Sequence, residues 1–123
     1  MGTVFCNSGK AIVTNRLKGL GTEPNYIGWG TGAGTAAVSD TTLFTEASES
    51  RVAGTSTQQT TTVTNDTYQV VGTMTVAGAG KTITNVGLFD AATNGNLLMK
   101  SDFTGIALNV GESIQFTQKL QFQ

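Results

Sequence analysis

The acidic residues are the first candidates for chemistry in this chain of 123 residues, because it has no histidine and a single cysteine. Two carboxylates can hydrolyse a glycosidic bond when they face each other across it. The eight acids are instead scattered, at Glu23, Asp40, Glu46, Glu49, Asp66, Asp90, Asp102 and Glu112. Glu46 and Glu49 fall within one possible turn near Arg51, which we interpret as a surface ion network. We therefore predict that the chain is not an enzyme and has no catalytic residues.

The residue types that bind metals or attack substrates are equally scarce. Histidine is the usual general base near neutral pH and the commonest metal ligand, and without it Cys6 has no base to activate its thiol. A single cysteine excludes an internal disulfide and, with no histidine, a structural zinc site. Asp90, Asn94 and Asn96 carry oxygen ligands suited to calcium, but a turn rich in Asn and Asp explains them better. We predict no metal and no cofactor.

Two glycine-rich segments imitate nucleotide-binding loops. Residues 78–82 match the end of a phosphate-binding loop, but that motif needs a glycine where Thr75 stands and a helix after the lysine. A β-branched run follows instead, beginning at Ile83. Residues 28–32 lack both the dinucleotide spacing and a following helix. Neither segment predicts a nucleotide site.

Charge and hydropathy exclude further classes of partner. Seven Lys and Arg residues stand against eight Asp and Glu residues, a net charge of −1. A nucleic-acid binder carries a basic face or a strip of aromatic and basic residues, and neither is present. No apolar run approaches the ~20 residues that span a bilayer, and the N-terminus does not resemble a signal peptide. The sequence predicts a protein made in a reducing cytoplasm that binds neither nucleic acid nor membrane.

The elements that would position these residues are mainly strands. Threonine occurs 22 times and glycine 16 times, and the branched threonine side chain suits a pleated sheet. We predict one domain with an all-β fold, an antiparallel β-sandwich of jelly-roll-like or Ig-like type with one short N-terminal helix. Its divisions are a possible arm or short strand over 1–7, the helix over 8–19 and a β-rich core over 25–123.

Periodicity places the individual elements. Asn94-Gly95 between two apolar runs is a strong hairpin signal, and alternation of apolar and polar residues marks two more strands. The predicted strands are Thr82–Phe89, Asn96–Phe103, Tyr68–Val76 and Ile114–Phe122. A single helical turn is predicted over residues 41–48, and Trp29 is expected in the core. Residues 49–64 have few apolar side chains, which indicates an edge strand, an exposed hairpin arm or a partner-facing strand.

Two of these elements carry more detailed expectations. The helix should cover Gly9–Lys18, with an N-cap at Asn7 or Ser8, a stop at Gly19 or Gly21, and an apolar face; that face consists of Ile12, Val13, Leu17 and Leu20. The last strand should bury four large side chains, with Gln118 as the one interruption of its apolar face; they are Ile114, Phe116, Leu120 and Phe122.

Three segments together carry a resemblance to a known family. They are residues 26–35, 43–52 and 85–103, followed by a turn and strand over 109–117. In order and spacing the chain resembles, from about Ser8 to Phe122, small structural proteins of tailed bacteriophages, described as capsid decoration (cement) proteins or as tail-fibre-related proteins. The resemblance implies a β-sandwich without catalysis, made in the host bacterial cytoplasm and carried on the virion. It also implies homotrimers at local threefold axes of the capsid.

The first functional hypothesis is a capsid decoration protein that binds the major capsid protein on the outside of the head and stabilises capsomer junctions. Its candidate contact segments are Met1–Cys6 and Thr55–Thr64, because an uncharged surface can pack without burying charge. The alternative is a tail or fibre component, an adaptor or receptor-binding module that uses the loops 31–41 and 90–96. A glycan-active enzyme is the third hypothesis, and the scattered acids argue against it.

Overall fold

Strands dominate the fold. The computed structural model describes residues 2–123, which form one helix and eight strands: β1 (Gly2–Phe5), α1 (Asn7–Lys18), β2 (Tyr26–Gly30), β3 (Val52–Ala53), β4 (Thr55–Gln59), β5 (Thr67–Thr75), β6 (Lys81–Phe89), β7 (Leu97–Leu108) and β8 (Ser113–Gln121). Sheet A has the order β1-β7-β6-β2-β3 and sheet B the order β4-β5-β8, with antiparallel neighbours throughout. The predicted all-β sandwich with one short helix is confirmed.

The predicted central hairpin is formed by β6 and β7. Its turn places Asn94 at φ 55° and Gly95 at φ 71°, in the left-handed region that these two residue types tolerate best. The Asp90 carboxylate closes the turn by accepting the backbone N–H of Asn96 at 2.7 Å. The second strand extends five residues beyond the predicted Phe103, because residues 106–108 pair with the beginning of β6 after a shift in register.

The main core lies between the two sheets. Trp29 is 1% exposed, as predicted, and meets the ring of Phe116 edge to face at a centroid distance of 6.3 Å. The buried residues of this core come from both sheets and the helix: Ile12, Ile27, Trp29, Val70, Met74, Val76, Ile83, Val86, Leu88, Leu98 and Met99. A smaller cluster on the other face of sheet A contains Cys6, Leu43, Phe89 and Leu97.

The last strand does not bury its apolar face as predicted. Phe122 lies beyond the end of β8 and is 51% exposed, whereas Gln118, the predicted interruption, is 5% exposed. The other three apolar side chains of that face are half-buried. The physical reason is position, since β8 is the edge of the smaller sheet and has a neighbouring strand on one side alone within the described chain.

The helix is confirmed, with a different cap. Cys6 occupies the N-cap position, and the Ser8 hydroxyl instead donates to the backbone oxygen of Leu97 at 2.6 Å. Gly19 ends the helix in the left-handed conformation, as expected. The predicted apolar face is partly wrong, because Leu17 is 83% exposed while Ile12 is buried. The helix packs against β7 and covers one end of the sandwich.

The structure also decides two other expectations. Of the arm or short strand predicted over residues 1–7, residues 2–5 form the strand, β1, and pair with β7 from Asp102 to Met99; Met1 lies outside the described residues. Residues 41–48 form no helical turn. They run beside the end of β2, where the N–H of Gly32 donates to the Phe44 oxygen at 2.9 Å. This close approach needs glycine, since a Cβ on Gly30 would lie 2.4 Å from that oxygen.

Candidate interaction surface

The segment 31–51 covers the outer face of sheet A, where a buried lysine holds it. Lys100 on β7 is 1% exposed, and its ammonium group donates to the Asp40 carboxylate at 3.0 Å and to the Thr42 oxygen at 2.8 Å. The same group lies 3.2 Å from the centre of the Phe44 ring. The hydrogen bonds from the Ala37 N–H and from Lys100 lower the pKa of Asp40.

Two more polar side chains of sheet A bind this segment. The amide of Asn85, which is fully buried, both accepts from the N–H and donates to the oxygen of Phe44, each at 3.0 Å. Asp102 accepts the N–H of Ala36 at 2.9 Å. The predicted recognition loop 31–41 is therefore fastened to the sheet and presents mainly residues 33–35 and 37–39 to solvent.

Arg51 holds the second predicted loop, 90–96. Its guanidinium group forms two bonds with Glu46, at 2.8 and 3.0 Å, and lies 3.4 Å above the centre of the Phe89 ring. It also donates to the backbone oxygens of Ala91 and Asn94, at 2.9 and 2.7 Å. Of the surface ion network predicted for Glu46, Glu49 and Arg51, the pair between Glu46 and Arg51 is present. The turn around Asn94 is thereby fixed from outside as well as by its own backbone.

Glu49 does not join that network. Its carboxylate pairs with Lys81 and accepts the indole N–H of Trp29 and the backbone N–H of Ala77, both at 3.0 Å. Burial raises the pKa of this carboxyl, but the hydrogen bonds from Lys81, Ala77 and Trp29 outweigh burial and lower the pKa to about 2. Glu49 therefore ties the core tryptophan to the start of β6.

The remaining candidates for chemistry occupy structural positions. Cys6 is fully buried, and burial raises the pKa of its thiol to about 11. Across residues 2–123 no three His, Cys, Asp or Glu side chains come together as a metal site. Nor does that range contain a helix of the length and apolarity needed to cross a membrane. The residues 78–82 form a turn followed by β6, as expected from the missing helix.

Both edges of sheet B are open. β4 carries the sequence Thr-Ser-Thr-Gln-Gln, in which Ser56 is half-buried and the other four residues are exposed. The loop after it is closed by Asp66, which accepts the N–H groups of Thr61, Thr62 and Val63 at 2.8 to 3.0 Å. These bonds lower the pKa of Asp66. The prediction that residues 49–64 contain an edge strand is confirmed.

A groove with a volume of about 420 Å³ follows the free edge of β8, between it and the strands β7 and β1. We call it the β8 groove; it is lined mainly by apolar side chains, among them Val86, Met99, Phe103, Ile106 and Phe116. Gln118 also lines it. The Gln118 amide nitrogen donates to the Gly87 oxygen at 3.4 Å, but its buried Oε1 has no hydrogen-bond partner among residues 2–123.

A second groove, of about 400 Å³, lies between α1 and sheet B. Ile12, Val13 and Leu17 of the helix face Leu120 and Phe122 across it. The hydroxyl of Tyr68 closes its inner end by donating to the Pro24 oxygen at 3.0 Å. We call it the helix groove.

Sequence reasoning missed three of these polar residues. Their burial was not predicted: Lys100 ends an apolar run and Gln118 interrupts the alternating apolar face of β8, and both are buried in the structure, as is Asn85. A polar residue in an apolar run predicts either a strand edge or a buried hydrogen-bonding role. The partner that decides between these lies far away in sequence, at residue 40, 44 or 87.

Comparison with known proteins places the chain in a family. No curated protein and no solved structure matches it. The family model described as podophage GP4 fiber I protein gp80 matches residues 20–122, which include every strand from β2 to β8. The chain therefore belongs to the family of the podophage GP4 fiber I protein gp80, and it is a structural component of a phage virion.

Proposed function

We propose that the chain is a module of a phage fibre, where it presents binding surfaces and performs no catalysis. The observation that carries the proposal is the match of the fiber I family model to residues 20–122. The contacts of the acids support a structural role: Asp40, Glu46 and Glu49 each pair with a cation. Such bonds lower the pKa of the Asp40 and Glu49 carboxyls, and a carboxylate held ionised in this way is a poor proton donor near neutral pH.

The anchored loops suit recognition by a fibre. Residues 92–96 are exposed, while Arg51 binds the backbone oxygens of Ala91, just before them, and of Asn94, among them. Residues 33–35 are likewise exposed between attachments of the 31–51 segment to sheet A. Binding through a loop that is already ordered loses less conformational entropy than binding through a mobile one. We propose these two tips as the surfaces that meet a host glycan or another tail protein.

Copy number and location on purified virions test the fibre assignment. We expect far fewer copies of this chain than of the major capsid protein on a stained gel, and antibody labelling at the tail or its fibres. Labelling over the whole head, with a copy number close to that of the major capsid protein, would overturn the proposal.

That second outcome would favour capsid decoration, the first hypothesis from sequence. The uncharged surface of β4 supports it, because such a strand can pack on a capsid protein without desolvating charge. The other candidate contact segment from sequence is residues 1–6. Its deletion is a poor test of capsid binding, because residues 2–5 belong to sheet A. Charged substitutions at Thr57 are better suited, because that side chain is exposed. Reduced occupancy on capsids would then support decoration.

A further inference from the structure

We propose that copies of this chain associate head to tail, with β4 of one copy pairing in parallel with the free edge of β8 in the next. The helix groove is a weaker candidate, because nothing in the structure indicates what covers it. The proposal concerns the isolated chain and does not depend on the fibre assignment. It follows from the two edges of sheet B, from the offset between the sheets and from one unpaired buried atom.

The two edges of sheet B have little of the usual protection against pairing. Sheets of monomeric proteins normally protect their edges with charges, proline or bulges. β4 contains no charged residue and no proline, and β8 contains Lys119 as its one charge. Both edges therefore offer unpaired backbone groups to an added strand.

The two sheets are offset, which leaves one side of the sandwich uncovered. The edge-to-face contact between Trp29 and Phe116, and the bond from Gln118 to Gly87, place β8 over β2 and β6. β7 and β1 extend beyond it and form the floor of the β8 groove. On the opposite side, a single residue, Gly54, separates β3 from β4, and β4 is largely exposed. Each copy thus has a recess beside β8 and, on its opposite side, a projecting strand, β4.

The same offset excludes pairing of two β8 strands. A twofold axis at β8 would place β7 and β1 of each copy in the space occupied by the other copy's sheet A. β4 has no such obstruction. In sheet B both β4 and β8 run antiparallel to β5, so they run parallel to each other. If a neighbouring copy extends sheet B and keeps the same face of the sheet toward the core, its strands keep their direction. The β4 strand of that neighbour then runs parallel to β8 of the first copy.

The buried oxygen of Gln118 supports this placement. A buried acceptor without a partner costs free energy that a donor from a neighbour would restore. Through their shared partners on β5, Ser56 is level with Gln118 and Gln58 is level with Leu120. A neighbour related by rotation about an axis along the strands therefore brings the exposed amide of Gln58 beside Gln118, whereas the Ser56 hydroxyl already donates to Glu23 at 2.6 Å.

Symmetry limits the assemblies that this contact can build. A head-to-tail contact closes into a ring or extends as a filament. Twofold symmetry produces only isologous contacts, so the smallest closed ring has three copies. A trimer is also the oligomer that the phage resemblance predicts from sequence.

Cysteine crosslinking of the full chain tests the pairing. Thr55 and Thr117 are exposed and level with each other through Val71, so T55C and T117C should lie on adjacent strands of neighbouring copies, within reach of a disulfide. We expect the T55C/T117C variant to form covalent trimers or a ladder under mild oxidation. Either single variant should remain monomeric on a non-reducing gel, as should the parent, whose Cys6 is buried.

Two results would overturn the proposal. A covalent dimer from T117C alone would show that β8 pairs with β8. Monomers from the folded double variant, with a short bis-maleimide as well as with oxidation, would show that the edges do not meet. The matched control T55S/T117S, compared by circular dichroism and thermal melting, establishes that the cysteine variant is folded.

Charge reversal provides a second, independent measurement. Thr57 is level with Lys119 through Gln69. At low salt, where screening is weak, T57K should associate several-fold more weakly than T57E in sedimentation velocity. The T57K/K119E variant should regain the lost association. Equal association of T57K and T57E would contradict the proposed contact.

Discussion

Glu49 connects the core tryptophan, the 76–80 turn and β6 through hydrogen bonds to Trp29, Ala77 and Lys81. Its side chain is 7% exposed, so the charge of the carboxylate and the bonds that compensate it both act where water screens little. Glu49, which the sequence analysis assigned to a surface ion network, thus binds the tryptophan of the core.

Glu49 also gives the fold a specific sensitivity to acid. Because its folded pKa of about 2 lies below the ordinary value of 4.5, the ionised group stabilises the fold above about pH 4.5 and loses this effect as the pH falls toward 2. We expect Glu49→Gln to lower the free energy of unfolding at pH 7 by roughly 2 kcal/mol. Urea melts at pH 7 and pH 3 measure this.

The difference between parent and variant should shrink at the lower pH. Glu112→Gln is the control, since that carboxylate is exposed. An equal loss at both pH values would mean that Glu49 acts through shape rather than through charge.

Asn85 holds the segment 31–51 on sheet A through both polar atoms of its amide. Asn85→Leu leaves the N–H and oxygen of Phe44 without these partners, and we expect a loss of about 2–4 kcal/mol. Hydrogen exchange at Phe44 and Thr45 should increase, because the segment opens locally. Asn109→Leu, at an exposed turn, should change stability by less than about 0.5 kcal/mol. Unchanged exchange at Phe44 in Asn85→Leu would contradict this role.

Among the elements, β8 has a large consequence for stability. It pairs with all nine residues of β5 and contributes Phe116 to the contact with Trp29. Removal of residues 113–123 should therefore unfold the domain, because β5 loses one of its two neighbouring strands and the core loses the side chains of β8. A urea melt checks this, and a midpoint equal to that of the parent would contradict it.

A shorter truncation is the matched control. Removal of residues 122–123 leaves β8 complete and deletes a phenylalanine that is half exposed. The remaining loss is one backbone bond, from the Phe122 N–H to the Asp66 oxygen at 2.9 Å. We expect a small shift of the midpoint, about 1 kcal/mol in unfolding free energy.

Local signals in the sequence account for most of the elements. Alternation located β5 and β8, and Asn94-Gly95 between two apolar runs located the hairpin of β6 and β7, because the period of a strand and the φ angles of a turn depend on nearby residues. The failures depend on distant ones. The helical turn predicted over 41–48 has Leu43 and Phe44 as its apolar anchors, but Asn85 and Lys100 hold that backbone against sheet A. Phe122 continues the alternation of β8 but lies beyond its end and is half exposed.

The candidate site was predicted less completely than the fold. The edge strand within residues 49–64 was recognised from composition, because a stretch with few apolar side chains does not suit a buried strand. The β8 groove was not, since it arises from the unequal number of strands in the two sheets. The periodicity of a strand does not reveal the order of the strands in a sheet. The sequence of β8 therefore does not show which of its sides has a neighbouring strand.

At the scale of the whole molecule, the proposed association should appear in thermal melts. A folded state that assembles is stabilised by mass action, so its melting temperature rises with protein concentration. We expect the parent to melt at higher temperature as concentration increases, and T57K to show a weaker dependence. Differential scanning fluorimetry over a wide concentration range measures this. A melting temperature independent of concentration in the parent would count against assembly.

The pairing of β1 with β7 sets an order of events during synthesis. Gly2 lies opposite Asp102, 100 residues later in the chain, and a ribosome adding about 5–20 residues per second needs roughly 5–20 seconds to make that partner. Until then β1 has no partner strand in sheet A, while β2 also waits for β6. The hairpin of β6 and β7 is therefore the step that admits both β1 and β2 to their places beside it in sheet A.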